Sequence, residues 1–416
     1  MTDSKPSSWV SFLLLDTAPV VAVGVVVFHL LTSHVADCYP VPSGSMEPTI
    51  HGDRDHGDLV LVDKTAYWWG VRPDIYDIVV VRAADENANF MVKRCLVIGP
   101  AELRISGGDL YKQGADGMFG SLPIAKDPIS HADMRVPIFR HPNGPCEQTL
   151  EEFLHLPPQV RVAADGSIPL PGVKNADELV ALLEPEVRRP NKGETAPRIP
   201  GFLTTNKSVD SSYLTPAGRR QWQGLNFYPD IGIELDLAIS GQDTSVLFVL
   251  EYHQRDYALL WDGHGKVRLI VGGRVIRTAD VPSPVRSGSV AFGYLDGHLF
   301  LVRGDQKLFH EPLPLDSNED YRPGRPNGLH FGCAGGAVTI RRVTVFHDIA
   351  VTSVGGSHGI GQGSYTLERN HMFLLGDNAN DSSDSRGTLG GVPLDRLAGR
   401  PAVILAPSDR VRFFVR

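Results

Sequence analysis

At 416 residues, 42% apolar and 21% charged, the chain is too long for a single small module and too apolar for a disordered or fibrous one; roughly two to three domains are expected. A formal net charge of −8 argues against a nucleic-acid binder, whose footprint would be a basic face, so no nucleic-acid partner is expected. The four cysteines, Cys38, Cys95, Cys146 and Cys333, are too few for a disulfide scaffold and lack CxxC spacing, and their pairing stays open.

The first element is an apolar run, Trp9 to Val35, which as a helix would reach about 40 Å at about 1.5 Å per residue, enough to cross a bilayer. Asp16, Pro19 and His29 interrupt it, which puts its apolar middle at Val20 to Leu31. Lys5 precedes the run and no Lys or Arg lies between Ser33 and Asp53, so the positive-inside rule places residues 1–8 in the cytoplasm and everything after Val35 outside. Strands are predicted at 59–62, 77–82 and 90–98, within a unit spanning 36–115. Residues 116–225, rich in Pro, Gly and charge, read as a loop-rich connector with short helices at 147–156 and 176–187. Period-2 alternation returns after Gly232 in about seven short strands, ending with Ala337 to Ile349, and predicts a sandwich or jelly roll over 226–353. A Gly-rich link at 354–370 then leads to a last unit at 371–416.

Four blocks carry the chemistry. Pro42-Ser43-Gly44-Ser45-Met46-Glu47-Pro48-Thr49 follows the apolar run directly, then come Gly57 to Lys64, Val92-Lys93-Arg94 with Gly99, and finally Gly376-Asp377-Asn378-Ala379-Asn380-Asp381-Ser382-Ser383-Asp384-Ser385-Arg386. A serine hydroxyl needs a positioned base, and lysine serves when burial disfavours its charged form. Lys93 sits in an apolar strand, between Phe90-Met91-Val92 and Cys95-Leu96-Val97-Ile98, whereas Lys64 ends a strand beside Asp63 and is expected in solvent. The histidines are scattered, and none stands in a nucleophile-elbow context that would support a Ser-His-Asp arrangement.

In this order, behind one apolar span, the blocks resemble type I signal peptidases over residues 9 to about 114 and 371 to 406. The resemblance implies a mainly β fold: an N-terminal transmembrane helix, a signal-peptidase-type β catalytic domain in two parts, and an inserted β-sandwich or jelly-roll-like domain. It makes Ser45 the nucleophile, Lys93 the general base, and the Ser43 hydroxyl with the Ser45 N–H the oxyanion hole. Ser382 matches the serine that hydrogen-bonds the lysine amine, Asp384 and Arg386 the charged pair that frames the site, and Gly376 the small residue packed against the lysine, with Asp377 and Asn378 beside it. The family usually has Arg where Ala379 stands, which puts one framework salt bridge in doubt. No metal or other cofactor is implied. The implied partners are exported preproteins, the lipid bilayer and secretion machinery, at the extracytoplasmic face of the cytoplasmic membrane.

Other signals are weaker. The run His51 to Asp58 has metal-ligand residue types, but Arg54 stands among them and a polar loop is expected. Gly359, Gly361 and Gly363 lack the strand and helix that a phosphate cradle needs. Arg303-Gly304-Asp305 reads as a hairpin turn, and Phe248, Tyr252 and Trp261 as core rather than a sugar platform. The insert at about 200–352 resembles concanavalin-like or laminin-G-like jelly rolls. Two competing readings are a membrane-anchored carbohydrate- or protein-binding module with a vestigial peptidase core, and a self-cleaving repressor-type Ser-Lys protease. Against the latter stand the apolar span and the lack of a DNA-binding helix-turn-helix.

Overall fold

The computed structural model describes residues 17–83, 90–106, 109–120, 123–142, 149–183, 201–205, 212–214, 220–222, 230–241, 243–252, 255–281, 285–313, 328–349, 351, 364–379, 381–387 and 389–414. Residues 1–16, Cys146, Asn380 and the run 352–363, which includes Gly359, Gly361 and Gly363, lie outside them. The fold is mainly β.

The helix Ala18–Leu30 carries Pro19 in its first turn, where no backbone N–H is needed. With the π turn Leu31–Val35 it forms an 18-residue segment of mean hydropathy 1.9, none of it buried against the protein. A helix apolar all round and uncovered by its own chain fits a membrane anchor. Its end is tied down: Lys64 donates from its backbone to Val35 O at 2.9 Å and from Nζ to Thr32 O at 2.6 Å.

Beyond it, one antiparallel sheet collects strands from both ends of the chain. Its order is Ala36–Pro40, Leu59–Asp63, Leu397–Ala406, Ile78–Arg82, Phe90–Ile98, His371–Leu375 and Val392–Pro393, with Arg412–Phe413 added on Leu397–Ala406. The runs Leu59–Asp63 and Ile78–Arg82 bury Val60, Val62, Ile78 and Val80 in one cluster with Met46 and Ile50, while Val79 and Val81 face a second cluster with Met372 and Leu374. This two-sided burial explains why Ile78–Arg82 reads as a continuous apolar run, whereas Leu59 and Leu61 on the neighbouring strand stay half-buried. A small three-stranded sheet, Tyr365–Leu367, Ala101–Ser106 and Asp109–Lys112, again joins both ends of the chain. Residues 365–367 are thus a strand and not part of the link.

The sandwich is larger than the sequence pattern indicates. One sheet runs Arg274–Asp280, Lys266–Val271, Arg255–Trp261, Ser245–Tyr252, Gly328–Ala334, Leu203–Thr205 and Leu154–His155. The other runs Gln306–Pro312, His298–Arg303, Gly288–Leu295, Ile231–Ser240, Ala337–Asp348 and Arg135–His141, with Ile168–Leu170 also on Ala337–Asp348. Four of these strands come from residues 116–225, so that stretch is not a connector; it closes the edges of both sheets. Its apolar residues Ile138, Phe139, Leu154, Ile168, Leu170 and Leu203 lie in the sandwich core, but three of the four runs are too short for a period to register, and in Arg135–His141 Pro137 and the adjacent buried pair Ile138-Phe139 break the alternation.

The helix expected at 147–156 shrinks to Leu150–Phe153, because Leu154–His155 pairs with Leu203–Thr205. The second is Ala176–Ala181, capped by Asn175, which accepts from Glu178 N at 2.9 Å. Its Leu179 covers the outer face of the sheet around Leu247, Val249 and Ala258, as does Phe202. Phe248 and Trp261 are fully buried and Tyr252 packs against them, so these aromatics are core. Gly304 takes φ +56° in the two-residue turn between Arg303 and Gln306, the hairpin expected there.

Candidate active site

The sequence Ser43-Gly44-Ser45-Met46 leaves its strand in extended backbone at Ser43 and enters a single 3-10 turn, Gly44–Met46. Met46 and Ile50 bury beneath it and anchor the turn to the sheet. The Ser45 N–H lies in the first turn of this helix, where backbone donors have no intrahelical acceptor, and the Ser43 side chain makes no capping bond. Both donors are therefore free of helix duties.

Lys93 projects from the strand Phe90–Ile98 and is 4% exposed. Its Nζ lies 3.0 Å from Ser45 Oγ and 3.2 Å from Ser382 Oγ. Burial lowers its pKa below the ordinary lysine value; Asp384 and Asp377 pull it back up, Arg386 pushes it down, and the net direction is down. An amine with easier access to its neutral form thus faces a serine hydroxyl.

Lys64 is different. It is neither fully solvated, as expected, nor apolar in its surroundings: it is 16% exposed and lies 3.3 Å from Asp37. Burial would lower its pKa, but Tyr39 and Asp37 outweigh that and hold it charged. It clamps the base of the apolar helix.

The last block forms the floor. Asn378 fixes the serine turn twice, its N–H donating to Ser45 O at 3.1 Å and its Nδ2 to Gly44 O at 3.1 Å. Asp384 accepts from Arg386 Nε at 2.9 Å and Nη2 at 2.6 Å, and from Gly376 N at 3.2 Å. Ser385 locks the same loop onto the sheet, its Oγ accepting from Leu374 N at 2.8 Å. Gly376 differs in detail from expectation: the atoms nearest to a methyl group there would be Ser382 Oγ at 2.3 Å and Ser45 O at 2.4 Å, not the lysine. Only hydrogen fits between the two serines.

Asp377 holds the far side of the floor. It accepts from Arg94 Nε and Nη2, each at 2.7 Å, and from the Thr49 hydroxyl. Burial disfavours the Arg94 charge, but Asp377 and Asp133 more than offset that and keep it protonated. Arg94 was not singled out from the sequence, although the signal was present: alternation sends Lys93 and Arg94 to opposite faces of an apolar strand, and a buried guanidinium requires a carboxylate. At position 379, where the family usually has Arg, the Ala379 carbonyl accepts from Arg386 Nη2 at 2.9 Å. Two ion pairs, Arg94–Asp377 and Arg386–Asp384, frame the site.

The His51 to Asp58 run is a tied polar loop. Asp58 is fully buried, accepts from His51 N at 2.8 Å and pairs with Arg410 at 2.8 Å, while Asp53 accepts from the N–H groups of Asp55 and His56. Among the described residues Cys38, Cys95 and Cys333 are free thiols, and burial pushes those of Cys95 and Cys333 up to about 12, away from reactivity.

A fold that brings both ends of the chain into one sheet around a serine–lysine contact agrees with what sequence comparison finds. The family model described as signal peptidase, peptidase S26, matches residues 14–133 and 337–406, and these two segments contain all four blocks. The chain therefore resembles the signal peptidase family along both halves of this sheet, with a large sandwich between them. It is similar to signal peptidase I of Mycobacterium tuberculosis, in two strains, at 39% identity over 70 residues, 17% of this chain. That match spans about a quarter of the length of the curated relatives, 24%. Solved structures similar to the chain include an endo-acting O-glycanase of the human gut microbiota, at 9% identity and TM-score 0.31 over 51% of this chain and 99% of that one. Winged bean acidic lectin is another, at 8% identity and TM-score 0.30 over 50% of this chain and 97% of its own.

Proposed function

We propose that the protein is a membrane-anchored serine endopeptidase that removes N-terminal signal peptides from exported precursors. The observation that carries the reading is the 3.0 Å contact between a buried lysine amine and the Ser45 hydroxyl. In this scheme neutral Lys93 takes the Ser45 proton as Oγ attacks the scissile carbonyl, forming a tetrahedral oxyanion that the Ser45 N–H and the Ser43 hydroxyl stabilise. The lysine proton passes to the leaving amine, the C–N bond breaks, and the signal peptide stays as an ester on Ser45. Lys93, neutral again, then takes a proton from water as it attacks the ester, and returns that proton to Ser45 as the ester bond breaks. Ser382, at 3.2 Å from Nζ, holds the amine on line, and Asn378 holds the serine turn.

Anchoring draws support from the uncovered apolar helix and from its surroundings. A cleft beside its end is lined by Ser33, His34, Trp68, Val71 and Arg72, and neighbouring Trp69 is 96% exposed, which suits a membrane–water interface. In this reading the N-terminus lies in the cytoplasm, the catalytic sheet lies outside at the bilayer surface, and secretion machinery delivers the precursors. The test is cleavage of a preprotein with an Ala-x-Ala site by the detergent-solubilised full chain, with the product's N-terminus sequenced. Cleavage after the second alanine by wild type, lost in Ser45→Ala and Lys93→Ala, supports the proposal. A folded wild type that cleaves nothing overturns it and leaves the binding-module reading.

A further inference from the structure

The sandwich carries a cationic cavity that the peptidase reading does not use. On the outer face of the sheet that contains Ile231–Ser240, Ala337–Asp348 and Arg135–His141, a cavity of about 670 Å³ is lined by Arg135, Arg140, Arg341, Arg342, Glu234 and Asp236, among others. Inward-facing Ile233, Leu235, Leu237, Val343 and Val345 are all fully buried, so the alternation of these strands sends the polar set outward.

The register explains the concentration of guanidinium groups. Asp236 pairs with Arg342 but Leu237 pairs with Ile340, so Arg341 is the extra residue of a β-bulge. Without the bulge, alternation would turn one of two neighbouring arginines into the core; with it, both are exposed on the outer side. Arg140, opposite Thr344 on the next strand, joins them on that face.

Among the described residues these charges are offset only in part, with Glu234 acting on both Arg135 and Arg140. Among the described residues, Arg140, Arg341 and Arg342 have no ion pair or hydrogen bond, and the sole carboxylate contact in the group is a long one, Arg135 to Glu234 at 3.7 Å. Glu234 is shared, since it also accepts from Ser289 Oγ at 2.9 Å. Arg135, with its side chain 11% exposed, lies over the rings of Phe300 and Phe346; its Nη2 donates to Pro128 O, and its Nε is buried without a partner among the described residues. Burial lowers its pKa and Glu234 and Asp348 restore only part of that. A chain of net charge −8 has no solubility reason to gather four arginines around two carboxylates in one concavity.

We infer that this cavity is a binding site for a ligand presenting two or more oxyanion groups, carboxylate, sulfate or phosphate, which the planar guanidinium forks would grip in pairs. The site is independent of Ser45 and Lys93, and its test does not require peptidase activity.

The test is isothermal titration of the detergent-solubilised full chain with tripolyphosphate and with trigalacturonic acid, using neutral maltotriose as control, at low and at moderate salt. At least one of the two anions should bind saturably at one per chain and weaken as salt rises, and the control should not bind. Which anion binds more tightly separates a phosphate-bearing from a carboxylate-bearing ligand. Replacing the exposed bulge pair, Arg341→Ser with Arg342→Ser, should weaken binding at least tenfold while thermal unfolding and preprotein cleavage stay as in wild type. Arg140→Ser alone should give a smaller loss. The inference is overturned if neither anion binds, if the control binds as well as they do, or if the double substitution leaves binding intact.

Discussion

Replacing Gly376 by alanine tests the site with one methyl group. The added carbon would stand 2.3 Å from Ser382 Oγ and 2.4 Å from Ser45 O. Non-bonded heavy atoms settle at about 3.5 Å, so each neighbour must retreat by about 1 Å. The Ser382 side chain can rotate away, which forfeits its 3.2 Å contact with Lys93. The Ser45 carbonyl cannot rotate alone: it is backbone, bonded to Asn378 N, and its displacement carries Ser45 Oγ away from the amine now 3.0 Å distant. A misplacement of about 1 Å at a reacting group costs on the order of 10²-fold in rate, and overpacking costs about 1–3 kcal/mol in stability. The assay is steady-state cleavage of an Ala-x-Ala peptide together with thermal unfolding. Gly376→Ala should lower kcat on the order of 100-fold with KM changed little, and lower Tm by several degrees. A variant within threefold of wild-type kcat would refute the claim that this close approach positions the nucleophile.

Further outcomes follow from the same geometry. Lys93→Arg should lose about 10²–10⁴-fold in kcat/KM, because a guanidinium stays protonated at working pH; wild-type kcat/KM should rise with pH along a limb set by the lowered lysine pKa, since the amine is neutral only above it. Asn378→Ala removes the side-chain tie to Gly44 O and should cut kcat about tenfold with little change in Tm, read in the same peptide assay. Asp377→Asn leaves the Arg94 guanidinium buried beside a neutral amide and should cost about 3–5 kcal/mol, seen as a lowered midpoint in urea. At the sandwich base Lys126 is buried between Asp296 at 2.7 Å and Asp348 at 2.6 Å, with buried Asp230 adjoining. Burial, only partly countered by Lys126 and reinforced by Asp296, pushes the Asp348 carboxyl up to about 7. A carboxyl whose folded pKa is raised stabilises the fold below its unfolded value, and that contribution disappears as pH rises through about 7. Tm should therefore fall from about pH 4 to above pH 7, and Lys126→Met should lower it further across that range; a flat profile would contradict the assignment.

The sequence made the sheet around Lys93 legible because strands such as Ile78–Arg82 are buried on both faces and so appear as unbroken apolar runs. It made the serine turn, the amine and the last block legible because each is a contiguous string. What it hid is non-local. The Arg94–Asp377 pair joins residues far apart in the chain, and the sandwich strands Leu154–His155, Ile168–Leu170 and Leu203–Thr205 hold two or three residues each, too few to show a period. Gly328–Ala334 escaped for another reason: Leu329, Phe331 and Cys333 alternate toward the sandwich core, but Gly328 and Gly332 between them look like turn residues, although this strand is buried on both faces. Gly332 there is required by contact, since a methyl would meet the Phe202 ring at 2.7 Å.

Strand alternation at residues 93 and 94 also decides how the sandwich bears on the site. Lys93 faces Ser45, while Arg94, one residue on, reaches through the opposite face to Asp377, to Tyr76 O at 2.8 Å and toward Asp133 at 3.6 Å. The Tyr76 hydroxyl bonds to Ile124 O, and the Lys126 ammonium lies 5.0 Å from the Tyr76 ring centroid. Lys126 in turn grips Asp296 and Asp348 at the ends of two sandwich strands. A continuous run of buried polar contacts thus joins the back of the lysine strand to the base of the insert. A tethered accessory module would need only flexible ends, whereas here Lys126 is buried between Asp296 and Asp348 and faces the Tyr76 ring, so the two regions share a packed contact. The insert thus adjoins the surroundings of Arg94 through Tyr76 and Lys126, while Arg94 itself is held by Asp377, Tyr76 O and Asp133.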